Sequence, residues 1–224
     1  MRTQDYSIRI RPVKCKHSYF LFVFRTYQPR FVCSYAKDKN IPTFFRSYRT
    51  KHNEILPSVT NCRIWEAARA TSAAPTFFDP MVIGLQAYVD GATGMNNPVE
   101  CVLDEAQMLW PDALSRIQSL VSIGTGKPES KDFGANLKDI VLTLKSIATD
   151  TENTHLRFAK CSIDRGLQGR YFRFNVDRGM ANVRLDDHEK IGSIEAATQA
   201  YIKSPDVKYN AELFTGVLPA DTGA

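Results

Sequence analysis

Apolar positions along this chain fall into two alternating kinds of run. RFVCSYA at 30–36, TFFRSYRT at 43–50, IQSLVSI at 117–123 and RYFRFNV at 170–176 are short and apolar or alternating, and read as strands. MVIGLQAYVDG at 81–91 reads as two short strands with a turn near Gly84. Between these runs, apolar residues recur at three- and four-residue steps. CRIWEAARATSAA at 62–74 is one such helix, and Pro75 ends it, because proline disfavours α geometry in the residue before it. Its five alanines, Ala67, Ala68, Ala70, Ala73 and Ala74, leave it thin enough to lie close against a neighbour. Asn97 as N-cap and Pro98 at the first helical position open a second helix. Val99, Val102, Leu103, Ala106 and Trp110 share one face of it, and Pro111 stops it. Leu137, Ile140, Val141, Leu144, Ile147 and Ala148 mark a long amphipathic third helix. Asp186 and Glu189, at capping-box spacing, open a last one with Ile191, Ile194, Ala197 and Tyr201 on its apolar face. Strands alternating with helices predict an α/β fold around a mostly parallel sheet.

A length of 224 residues, with 43% hydrophobic and 24% charged, suits one globular domain with a sizeable core. The cysteines (Cys15, Cys33, Cys62, Cys101, Cys161) are odd in number and widely spaced. They suggest neither a disulfide framework nor a zinc site, so a reducing, cytoplasmic setting is expected. No cluster has metal-ligand spacing, and no metal or cofactor is expected. Charge is uneven. Residues 1–30 hold seven Lys/Arg against Asp5 alone, more than the whole net charge of +5. A basic arm suits nucleic acid or anionic lipid, and a solvated terminus accounts for the same pattern. No nucleic-acid module accompanies it, so nucleic acid is not expected as a partner. YFLFVF at 19–24 is too short to span a bilayer or to form a signal-peptide core. The chain is expected to touch membranes from outside at most.

The candidate chemistry lies in YVDGATGMNNPVE at 88–100. An Asp-Gly pair alone is a hairpin signal. Here it stands between two other blocks, IWEAARATSAAPTFFDP at 64–80 and LVSIGTGKP at 120–128. In this order the three resemble the later part of a patatin-like phospholipase domain, fungal branch, over residues 31–203. Residues 1–30 are set outside the resemblance and 204–224 are a tail. The resemblance implies a three-layer sheet-and-helix acyl hydrolase domain, incomplete on its N-terminal side. It implies hydrolysis of phospholipid or neutral-lipid esters at a lipid or membrane surface, without a cofactor. It also implies a Ser-Asp dyad whose acid is Asp90, in the turn Asp90-Gly91-Ala92. Asn96, Asn97 and Pro98 take a structural role. A serine hydroxyl is a weak nucleophile until a base takes its proton. Asp, with an ordinary pKa of about 4, is a poor base in water, and a partly dry turn beside Tyr88 and Val89 improves it. Gly91 is read as removing bulk so that the carboxylate can approach the serine.

The partner serine is missing. The family's nucleophile sits in G-x-S-x-G on a strand-to-helix turn. No two of the twelve glycines are four apart and none are adjacent, so neither that motif nor a glycine-rich oxyanion loop occurs. Ser122 and Ser72 read as packing or capping residues. His17, His52, His155 and His188 lie in no motif, which argues against a Ser-His-Asp triad. GTGK at 124–127 fails as a phosphate loop, since Val121 stands where a glycine is needed and Pro128 where Ser or Thr is needed. It reads instead as a tight turn at the C-terminal edge of a sheet. Two readings result: the acid half of a lipid acyl hydrolase that does not hydrolyse esters alone, or a non-catalytic relative that binds lipid or a protein partner. A nucleic-acid binder led by the basic arm has little support.

Overall fold

A computed structural model describes residues 8–10, 29–49, 62–75, 77–127, 138–180, 183 and 187–216. In chain order its strands are β1 (Ile8–Ile10), β2 (Phe31–Ala36), β3 (Ile41–Arg46), β4 (Met81–Ile83), β5 (Gln86–Asp90), β6 (Ile117–Ile123) and β7 (Tyr171–Phe174). The helices are α1 (Ile64–Thr71), α2 (Ala92–Met95), α3 (Val99–Leu109), α4 (Ala113–Arg116), α5 (Lys138–Asp164), α6 (Ile191–Lys203) and α7 (Pro205–Thr215). The chain divides into two compact units, one of Met1 with residues 11–98, the other of residues 2–10 and 99–224.

The first unit is a four-stranded sheet, order β3-β2-β5-β4, with α1 laid on it. Short connections set its pairing. Ile83 faces Gln86 across the two-residue turn Gly84–Leu85, and Ala36 faces Ile41 across four residues ending at Asn40, whose φ of 49° asparagine tolerates better than most residues. Phe45, Tyr88, Ala36 and Ala70 form its core, with Val32, Ala67, Met81 and Ile83 packed against them. Phe45 and Tyr88 meet edge to face at 5.1 Å. Ala70 is fully buried, so the alanine-rich helix does lie close against the sheet.

The second unit has a three-stranded sheet, order β1-β6-β7. Val99, Val102, Leu103 and Ala106 of α3 are buried, as their spacing predicts. Phe158 of α5 is buried edge-on against Tyr171, and Phe214 of α7 meets Phe172.

The α/β class holds, but the mostly parallel sheet does not. Among the described strands only β6–β7 is parallel: the short turns at 37–40 and 84–85 force β2–β3 and β4–β5 to be antiparallel, and β2–β5 and β1–β6 pair antiparallel across long connections. The segment 1–30, read as irregular, supplies β1, while YFLFVF lies outside the described residues. β3 starts at Ile41 and stops at Arg46, since its register is set by the turn at 37–40. α1 ends at Thr71 rather than Ala74, because the Ala73 carbonyl is drawn out to accept the Asp90 amide at 3.0 Å. Between β5 and α3 an unforeseen short helix, α2, appears, and α3 begins at Val99, directly after Pro98. α5 extends to Asp164, well past the predicted stretch. Asp186 lies outside the described residues. A 3-10 turn, His188–Lys190, leads into α6, with Lys190 paired to Asp187 at 2.9 Å. On α6, Ile194, Ala197 and Tyr201 are half-buried but Ile191 is exposed. The expected tail contains α7, opened by Ser204-Pro205 and closed by Gly216 in a left-handed conformation.

Candidate active site

Asp90 is the last residue of β5 and faces Ser34 of β2 in the antiparallel register. Its Oδ1 accepts the Ala92 backbone N–H at 2.8 Å, the local bond that turns the chain into α2. Met95 N–H then donates to the Gly91 carbonyl at 2.9 Å. Three further hydrogen bonds, involving two other segments, fix the turn. The Asp90 amide donates to Ala73 O, Thr71 Oγ1 donates to Cys33 O at 2.5 Å, and the fully buried Ser34 hydroxyl donates to Val89 O at 2.6 Å. The carboxyl is thus held at the sheet end by the close of α1 and by β2.

Gly91 meets a packing demand of the fold itself. A Cβ there would stand 2.6 Å from the Cys33 carbonyl oxygen and 2.9 Å from its Cβ. Its φ of −70° is ordinary, so the demand is for space against β2 and not for glycine torsions. Burial pushes the Asp90 carboxyl above its usual pKa, and the Ala92 N–H pulls it partly back. The arrangement is a half-buried carboxylate, made more basic by desolvation and oriented by the Ala92 N–H, which suits a group meant to take a proton. Asn97 is buried and follows α2, consistent with a structural role.

Neither alternative serine behaves as a free nucleophile. Ser72 Oγ donates to Ala68 O at 2.6 Å, closing α1. Ser122 is fully buried in β6 and accepts Arg173 Nη1 at 2.8 Å. His155 Nδ1 lies 3.0 Å from Tyr171 Oη, and His17 and His52 lie outside the described residues. Among the described residues no group of three or more His, Cys, Asp or Glu is placed to hold a metal ion.

In the second unit, Gly124–Lys127 forms the expected turn at the C-terminal end of β6. Gly124 N–H and Lys127 N–H donate to Phe174 O and Val176 O, and Gly126 N–H donates to Asn175 Oδ1 at 2.7 Å. A Cβ on Gly124 would stand 2.2 Å from that same oxygen. Glu152 of α5 ties the turn down, accepting from Lys127 Nζ at 3.0 Å, Asn175 Nδ2 at 2.9 Å and Arg173 Nη2 at 3.5 Å. Burial alone would raise the Glu152 pKa, but these donors together hold it below its ordinary value. Thr71, Cys33, Ser34, Glu152 and Arg173 had no local signal in the sequence, because the side-chain hydrogen bonds that tie them into these turns span at least 21 residues.

A family model described as "Patatin-like phospholipase" matches residues 6–103, and so takes in most of the segment that the sequence reading sets apart. The chain is 34% identical over 153 residues to calcium-independent phospholipase A2-gamma of Mus musculus, covering 65% of this chain and 19% of that protein. It is 30% identical over 168 residues to phospholipase A I of Arabidopsis thaliana, covering 69% of this chain and 12% of that one. It is also 30% identical over 185 residues to patatin-like phospholipase 1 of Plasmodium falciparum, covering 70% and 27%. The chain therefore spans about a quarter or less of the length of these relatives.

Proposed function

We propose that this chain, which belongs to the patatin-like phospholipase family, carries the acid half of a Ser-Asp lipid acyl hydrolase site, with Asp90 as the base. The observation that carries the reading is the Asp90 turn. A half-buried carboxylate whose pKa is raised by desolvation ends a strand and is oriented by the Ala92 N–H. Such a group takes the proton of a serine hydroxyl as it attacks an ester carbonyl, and returns it to the leaving alcohol. The substrate class is a phospholipid or neutral-lipid ester. Residues 1–224 contain no G-x-S-x-G, so this stretch is expected not to hydrolyse esters unaided. Reading the native transcript upstream of Met1 tests the assignment. An in-frame G-x-S-x-G, giving a product whose lipid hydrolysis is abolished by Asp90→Asn, supports it. Full activity of that longer Asp90→Asn protein overturns the role of Asp90. A transcript starting at Met1 favours the second reading, a relative that binds lipid or a protein partner without hydrolysis.

A further inference from the structure

We infer that Thr71 is a positioning residue for Asp90, its hydroxyl acting through the Cys33 carbonyl to hold the carboxyl against the sheet. The inference rests on the reading of Asp90 as the base. Thr71 is the last residue of α1, and a hydroxyl in such a place ordinarily bonds back to its own helix. Ser72, the next residue, does so, donating to Ala68 O at 2.6 Å. Thr71 Oγ1 instead crosses to Cys33 O at 2.5 Å, a bond between residues 38 apart.

The Cys33 carbonyl stands where the acid turn leaves the sheet. The β2–β5 ladder ends at the pair Ser34–Asp90, and Cys33 is the next residue of β2. A Cβ on Gly91 would lie 2.6 Å from that carbonyl oxygen, so the backbone just after Asp90 is packed against the group that Thr71 holds. The backbone just before it is pinned as well. Ala73 O accepts the Asp90 amide at 3.0 Å, and Ser34 Oγ donates to Val89 O at 2.6 Å. The chain is thereby set on both sides of the Asp90 Cα, and the carboxyl can move only by its own side-chain torsions.

Position here decides basicity. Burial is the larger influence on this carboxyl and raises its pKa, while the Ala92 N–H opposes it. The Ala92 bond joins residues two apart and travels with the turn. Burial does not travel with it, because it depends on the turn staying pressed against β2 and the close of α1. Removing the Thr71 hydroxyl takes a donor from the Cys33 carbonyl and lets the turn lift. Water then reaches the carboxyl, its pKa falls toward 3.8, and it becomes a weaker base.

The test is an NMR titration of the Asp90 carboxyl carbon in the 224-residue chain, with the resonance assigned by its loss in Asp90→Asn. The Ala92 amide proton, bonded to Oδ1, reports the same ionisation independently. Thr71→Val keeps the side-chain shape and removes the donor. Thr71→Ala removes it too, and alanine is the stronger helix former, so loss of the fold does not mask the result. Both are expected to raise the Asp90 ionisation constant by about threefold or more, with the Ala92 amide following the new midpoint. Thr71→Ser, which keeps the hydroxyl, titrates as wild type. So does Ser72→Ala, which deletes the neighbouring hydroxyl. The inference is overturned if Thr71→Val and Thr71→Ala leave the Asp90 midpoint where it was, or if Ser72→Ala moves it as far. That failure would leave the role of Asp90 standing. Full lipid hydrolysis by the longer Asp90→Asn protein would instead remove that role and leave the titration as it is.

Discussion

Replacing Gly91 by alanine tests how the acid turn is built. The added Cβ would sit 2.6 Å from Cys33 O, 2.8 Å from Cys33 C and 2.9 Å from Cys33 Cβ. The backbone at Gly91, with φ −70° and ψ −11°, suits alanine, so no torsional strain enters. Cys33 has little freedom to retreat, since it is paired across the sheet with Phe44 and its carbonyl is held by Thr71. Overpacking of this kind costs about 1–3 kcal/mol, against a gain of about 0.4–1 kcal/mol from the less flexible unfolded chain. The net loss is about 1–2 kcal/mol, which lowers Tm by about 2–8 °C for a chain of this size. Thermal unfolding followed by near-ultraviolet circular dichroism reads it. Gly192→Ala is the control. It lies in exposed α6 with nothing within 4 Å of a new Cβ, and should gain a few tenths to about 1 kcal/mol. A Gly91→Ala protein that melts at or above the wild-type temperature refutes the argument from Cys33.

Three further outcomes follow from the same geometry. Asp90→Asn should be more stable than wild type at pH 7. A carboxyl with a raised folded pKa costs stability as pH climbs past its unfolded value of 3.8, so urea unfolding should show the gap closing below that pH. Glu152→Gln removes the acid beside Lys127 and leaves the nearly buried Arg173 without its counter-charge, for a loss of about 1–3 kcal/mol in urea. Because the folded pKa of Glu152 is lowered, that loss is present above pH 4.5 and shrinks as pH falls through the lowered value; a loss independent of pH would count against the ion pairs. His155 has its pKa lowered first by burial, with Arg173 and Lys127 adding and Glu152 opposing. The unfolded histidine therefore takes its proton first, stability declines as pH drops below 6.5, and His155→Gln should flatten that decline between about pH 7 and 5.

The acid turn was legible because its signal is local. Asp90-Gly91-Ala92 is a short string between two other short strings, and each element near it has a readable periodicity. The partners that hold the turn were not legible. Thr71 reaches Cys33 across 38 residues and Ser34 reaches Val89 across 55, and side chains of these types carry no mark of such a bond. Strand direction was misread for a related reason. Alternating elements suggest crossovers, yet the two-residue Gly84–Leu85 turn and the four-residue turn at 37–40 each dictate an antiparallel pair. The close packing of Gly91 against Cys33 was not legible, since only the fold brings the two together. β1 was missed because three residues, Ile8–Ile10, hold too little pattern to stand out from a basic segment. α7 did carry a signal, Ser204-Pro205 at its start and Gly216 at its close.

The central claim is that residues 1–224 hold the acid of a dyad and not its nucleophile. The most direct measurement is labelling of the purified chain with a serine-reactive fluorophosphonate, read by mass spectrometry beside phospholipid ester hydrolysis. The account predicts neither adduct nor hydrolysis, with Asp90→Asn indistinguishable from wild type. A stoichiometric adduct on one serine, with hydrolysis lost in Asp90→Asn, would contradict it by showing that the chain carries a complete site.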